Sequence, residues 1–132
     1  MAVTVRAAFP MIYCEDLAAT LDFYRERLGF AVDYAVPPEG EPQFVAVKAG
    51  GSEIGLANVR GAETGSHGRR IRPVGGHRFE LCIEVADVDA AVGALREGGV
   101  PVLVEPADQP WGERMAYVAD PEGTPVMLYA AL

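Results

Sequence analysis

The sequence predicts an α+β fold made of two successive βαβββ modules. Two amphipathic helical segments open on aspartates 71 residues apart, Asp16 and Asp87. Each follows one strand-like run and precedes three more. The segments also align residue by residue. Asp-Leu-Ala-Ala-Thr-Leu from Asp16 faces Asp-Val-Asp-Ala-Ala-Val from Asp87, and Arg25-Glu26 faces Arg96-Glu97. With one residue fewer in the second copy, Gly29 faces Gly99, and further on Gly51 faces Gly123. Helix grammar could repeat some of these residues, but the repeated strand order makes duplication the better account.

Each element follows from local chemistry. The apolar run 7–14, which contains Pro10, reads as the first strand. Asp16 is a good N-cap, and Leu17, Leu21, Tyr24 and Leu28 recur at helical spacing behind it. Arg25 and Arg27 suit the negative end of the helix dipole, and Gly29 stops the helix. Strands are expected at 30–36, 43–49 and 53–58, divided by Pro37-Pro38-Glu39-Gly40 and Gly50-Gly51-Ser52. The first module thus covers about residues 1–60. A linker rich in glycine and arginine follows over about 61–76, expected to be mobile, with a ligand lid as the alternative. The second module covers about 77–132. Its strands are expected at 78–85, 100–105, 114–119 and 125–130, with Asp120-Pro121-Glu122-Gly123 as the last turn. Its helix carries Val88, Val92 and Leu95 on one face and stops at Gly98-Gly99.

Composition limits what such a chain can do. It has 132 residues, half of them hydrophobic, and a net charge of −8. That length suits a single domain with a real core, and that apolar fraction excludes disorder. The acidic balance disfavours nucleic acid, whose phosphates call for a basic surface, and mildly favours cationic ligands. The run 7–14 is too short to span a bilayer, and the first residues lack the pattern of a signal peptide. A cytoplasmic protein with no membrane partner is therefore expected. Cys14 and Cys82 lie outside any C-x-x-C pattern and are expected as buried free thiols. Neither a P-loop nor a nucleophile elbow occurs.

Two stretches carry a resemblance: PMIYCEDLAATLDFYRERLGF at 10–30 and WGERMAYVADPEGT at 111–124. They resemble the opening and closing signatures of the vicinal oxygen chelate superfamily, which groups glyoxalases, bleomycin-resistance proteins and extradiol dioxygenases. With the internal repeat, the resemblance covers nearly the whole chain. It implies that each module curls a four-stranded mixed sheet into a cup, with the helix on the convex side and the ligand on the concave side. It also implies a homodimer. The superfamily houses isomerases, lyases, dioxygenases and drug binders, so function has to be read from the site residues.

In the superfamily's metalloenzymes, each first strand supplies a His or Gln seven residues before the helix-capping Asp. Each fourth strand supplies a carboxylate beyond the preceding turn. Carried onto this sequence, those positions are Phe9, Glu80, Gly55 and Met127. Phe and Gly offer no donor atom, and a thioether suits only soft ions. Glu80 alone is competent, and His67 and His77 both fall at the linker. No metal and no cofactor are therefore expected.

Strand alternation assigns the cup lining. Phe9, Met11 and Tyr13 share the ligand face of the first strand, with Tyr34, Phe44 and Gly55 joining from the same module. Glu80, Cys82 and Glu84 share it on the fifth strand, with Trp111, Met115, Tyr117, Met127 and Tyr129 joining. Rings and thioethers suit a large, flat, partly apolar ligand, oriented by one or two carboxylates. Glu80 has three possible roles: pairing with an arginine such as Arg114, binding ligand, or general base. Together with the resemblance, the leading expectation is a metal-free, non-catalytic binder that sequesters an antibiotic or bulky aromatic natural product of bleomycin, mitomycin or enediyne type. The alternative is a metal-independent isomerase, lyase or hydrolase using Glu80.

Overall fold

A computed structural model of the chain describes residues 2, 4, 6–59 and 79–132. The linker expected at 61–76 lies outside the described residues. The chain divides into two compact units, Met1–Pro73 and Val74–Leu132.

In the first unit, β1 (Met11–Cys14) leads into α1 (Leu17–Asp22), followed by β2 (Ala31–Val36), β3 (Phe44–Ala49) and β4 (Ser52–Asn58). The sheet order is β1-β4-β3-β2. β1 runs parallel to β4, and the other pairs are antiparallel. In the second unit, β5 (Leu81–Glu84) leads into α2 (Val88–Glu97), then β6 (Val102–Asp108), β7 (Glu113–Ala119) and β8 (Pro125–Ala131). The order β5-β8-β7-β6 repeats the first sheet strand for strand. Register repeats too: Met11 lies opposite Gly55, and Cys82 lies opposite Met127.

Both helices start as expected. The Asp16 carboxylate accepts from Ala19 N–H and the Asp87 carboxylate from Ala90 N–H, each at 3.0 Å. Such a cap stabilises a helix by about 1 kcal/mol. Their ends differ. α2 closes on a Schellman pair, Val100 N–H to Leu95 C=O and Gly99 N–H to Arg96 C=O, both 3.0 Å. The first helix, expected to be regular up to Gly29, instead turns π-helical over Phe23–Arg27. Leu28 N–H reaches back to Phe23 C=O and Phe30 N–H to Tyr24 C=O. The extra residue between Asp16 and Gly29, compared with Asp87 and Gly99, is absorbed by this wider turn. Gly29 (φ 76) and Gly99 (φ 82) then leave the helices in the same left-handed conformation. The wider turn also brings two neighbours inward together. Phe23 and Tyr24 are both buried, edge to face at 4.9 Å, whereas Leu21 and Leu28 are only half-buried.

One face of each sheet packs the helix-side core. In the first unit it presents Ile12, Cys14, Val45, Val47, Ile54 and Leu56, all buried. In the second, Ala116, Val118, Val126 and Leu128 are buried along with Val88, Val92 and Leu95 of α2. Burying one such Leu or Val side chain contributes roughly 1.5–3 kcal/mol. β1 begins at Met11, later than expected, because Pro10 has no N–H to pair; its carbonyl instead accepts from Gly55 N–H at 2.9 Å. β6 runs further than expected, through Pro106. This is tolerated because β6 is an edge strand whose register shifts between Val104 and Ala107. In the final turn, the Asp120 carboxylate accepts from Glu122 N–H at 2.9 Å and Thr124 N–H at 2.8 Å.

Candidate functional site

The sheet face opposite the helix differs between the units. In the first unit, cross-strand register sets Met11, Gly55, Ala46 and Tyr34 in one row and Tyr13, Ala57, Phe44 and Val36 in the next. The centre of that face is small: Gly55, Ala46 and Ala57. Rings close over it. A Cβ on residue 55 would lie 2.8 Å from Phe44 Cε2 and 3.2 Å from Phe9 Cε2, so only glycine leaves both rings where they are. Tyr34, on the edge strand, tilts against Phe44 with centroids 5.6 Å apart. Phe9 is 42% exposed and Tyr34 47%, so these are open aromatic surfaces and not core.

In the second unit the equivalent rows are Cys82, Met127, Tyr117 and Val104, then Glu84, Tyr129, Met115 and Ala107. Met115 is buried, Met127 and Tyr129 are half-buried, and Cys82 is exposed. Cys14 is buried as expected, but the expectation of a buried Cys82 fails because its strand position points away from the helix. Glu80 precedes β5 on the same side as Cys82. Its Oε1 accepts from the Tyr117 hydroxyl at 3.0 Å. The two residues stand on either side of β8, roughly 10 Å apart at the backbone, and their side chains meet across it.

Glu80 does not pair with Arg114. Arg114 alternates onto the helix side, where Nε and Nη2 grip the Asp89 carboxylate of α2 at 2.6 and 2.9 Å. Its Nη1 donates to Asp108 at 2.9 Å. This fork raises the Arg114 pKa and lowers that of Asp89, in each case first through their shared hydrogen bond. Arg96, the other described basic residue of this unit, pairs with Glu105. Trp111 lies in the turn between β6 and β7, outside the strand, and is 61% exposed.

Two groups beside Glu80 feel its charge. Partial desolvation by its neighbours first, then the charges of Glu80 and Glu113, pushes the exposed Cys82 thiol up. Burial and then the hydrogen bond to Glu80 do the same to the Tyr117 phenol. Cys82 is therefore held as a thiol, not as a nucleophilic thiolate, and Tyr117 as a hydrogen-bond donor. Tyr117 lies on the face that alternation assigns it, but its tie to Glu80 becomes visible only once β8 is known to lie between β5 and β7.

Of the four positions that the resemblance assigns to metal ligands, two lie in each unit, and both pairs are poor in donors. Phe9 and Gly55 offer no donor atom, with the Phe9 and Phe44 rings over Gly55; Met127 offers a thioether, and Glu80 accepts from Tyr117. Among the described residues, no group of three or more His, Cys, Asp or Glu could hold an ion. His67 and His77 lie outside the described residues. A divalent metal does not fit this donor set. Among the described residues, no helix is long and apolar enough to cross a membrane.

Comparison with known proteins agrees with this architecture. The model of the Glyoxalase/Bleomycin resistance protein/Dioxygenase superfamily matches residues 6–128. An uncharacterised Mycobacterium bovis protein is 30% identical over 125 residues, spanning 93% of this chain and 82% of that one. The crystal structure of a superfamily member from Sphaerobacter thermophilus is 27% identical with a TM-score of 0.73, covering 96% of this chain and 97% of that one. A lactoylglutathione lyase from Agrobacterium tumefaciens superposes with a TM-score of 0.71 at 22% identity, covering 96% and 94%. At that identity the likeness shows the fold alone.

Proposed function

The chain belongs to the glyoxalase/bleomycin resistance protein/dioxygenase superfamily, and from that premise we propose that it binds a bulky, partly aromatic small molecule without metal chemistry. Its ligand would be an antibiotic or similar natural product, sequestered unchanged. The observation that carries this reading is the pair of rings, Phe9 and Phe44, closing over Gly55, a position that the sequence resemblance assigns to a metal ligand. Rings over a small floor offer stacking area in place of a coordination corner.

A homodimer belongs to the same proposal, and sedimentation should give twice 14.1 kDa. The test of the function is a thermal-shift screen against aromatic natural products, followed by recovery of the bound compound. A binder at a hundredfold excess over its Kd should raise the melting temperature by roughly 10 °C. The compound should return with unchanged mass and unchanged chromatographic retention. A changed mass or retention overturns sequestration. It would favour a second reading, in which Glu80 acts as general base, supported by its 3.0 Å hydrogen bond with a proton-bearing Tyr117.

A further inference from the structure

We propose that Tyr117 is a specificity-determining residue that fixes Glu80 as an acceptor for a protonated amine on the ligand. This rests on the binding reading above and names the chemistry that its second unit would select. Tyr117 spends its only proton on Glu80 Oε1. What the pair then presents outward is acceptors alone: the second carboxylate oxygen and the phenolic lone pairs. Glu80 Oε2 meets no donor among the described residues. The described cations of this unit are both engaged elsewhere, Arg114 with Asp89 and Asp108, Arg96 with Glu105. A guest must therefore bring its own donor, and a positively charged one gains most from a carboxylate. A neutral ketone or an anionic group would meet lone pairs with lone pairs.

The surroundings fit an amine carried on an apolar body. Met127 lies on the strand that the Tyr117–Glu80 bond crosses, and Tyr129 and Met115 continue the same face. Half-buried thioether and ring surfaces hold hydrocarbon, while the tethered carboxylate sets where the charge sits. An untethered, exposed Glu would lose side-chain freedom on binding; the hydrogen bond from Tyr117 has already removed much of it.

The experiment is an NMR titration of the full chain with four naphthalene probes: the methylammonium, its trimethylammonium analogue, the neutral methanol and the carboxylate. The methylammonium should bind about fivefold more tightly than the methanol, the range of an exposed charge-assisted contact. The trimethylammonium, which keeps the charge but has no N–H donor, should fall between them. Glu80→Gln should abolish the preference, and Tyr117→Phe should reduce it by about threefold, with the methanol, which donates one neutral hydrogen bond, losing less affinity than the methylammonium in both variants. A merely structural role for Tyr117 would move all probes together, and that result overturns the inference. Equal affinity for all probes with the wild-type chain also overturns the inference but leaves the binding reading standing. If none of the four binds, both fall.

Discussion

The two units share one design and differ on one face. Their helix-facing layers are interchangeable in kind: Leu56 and Leu128 hold equivalent places, and both are fully buried. The opposite faces have diverged. Where the first unit has Phe9, Gly55 and Ala46, the second has Glu80, Met127 and Tyr117. The core layer is constrained by packing at close to crystalline density, so both copies keep it aliphatic. The opposite face is under no such packing constraint, so it is a ring-covered floor in one copy and carries a tethered carboxylate in the other.

The comparison can be broken most forcefully at the core. Leu56→Ala and Leu128→Ala should each destabilise by about 2–5 kcal/mol, and by similar amounts, because each empties a fully buried site. Denaturant midpoints check this, and a large inequality would refute the equivalence of the two layers. On the divergent face, the swap Gly55→Met should cost about 1–2 kcal/mol, since the added side chain must displace Phe44 and Phe9. The reverse swap, Met127→Gly, removes a half-buried side chain and meets no such clash. If Gly55→Met is neutral, the rings are not held over the glycine.

A subtler test concerns the helices. Deleting Arg27 equalises the spacing from cap to glycine in the two units. The variant should fold with a regular first helix and lose about 1 kcal/mol or less. Amide exchange should then show the Schellman pattern of α2, and loss of the fold would contradict the idea that the π-turn absorbs a spare residue. The smallest expected effect is at Asp89. Its carboxyl is held below the usual carboxylate range by Arg114. The fork therefore stabilises at and above ordinary carboxylate pH, and that contribution fades as pH falls through the lowered value. Asp89→Asn should lower stability slightly at neutral pH, as suits an exposed pair, and its difference from the wild-type chain should vanish as pH falls through the lowered value, which flattens the acid profile. An unchanged acid profile would mean that the fork carries no linked stability.

Most of the architecture was legible because local signals and the internal repeat agree. Asp16 and Asp87 cap as their residue type requires, the terminal glycines stop both helices, and Asp120 organises its turn through its own carboxylate. The alternation that put Val126 and Leu128 against the helix and Met127 and Tyr129 on the other face also follows from sequence. The π-turn was less visible. A one-residue difference in spacing could be read, but not whether a loop or the helix would take it up. Arg114 was hardest to place. Choosing between Glu80 and Asp89 as its partner requires knowing which side of β7 it occupies and that α2 covers that side. The tie between Tyr117 and Glu80 depends on strand order, which residue spacing does not encode.

The central claim is that the helix-distal sheet faces hold a guest and do not build a metal centre. It is tested most directly by native mass spectrometry of the chain incubated with Mn, Ni and Zn together with an aromatic amine natural product found by the thermal screen. The expected spectrum shows one intact guest per chain and no stoichiometric metal. One tightly held ion per chain, or a guest of altered mass, would contradict the account.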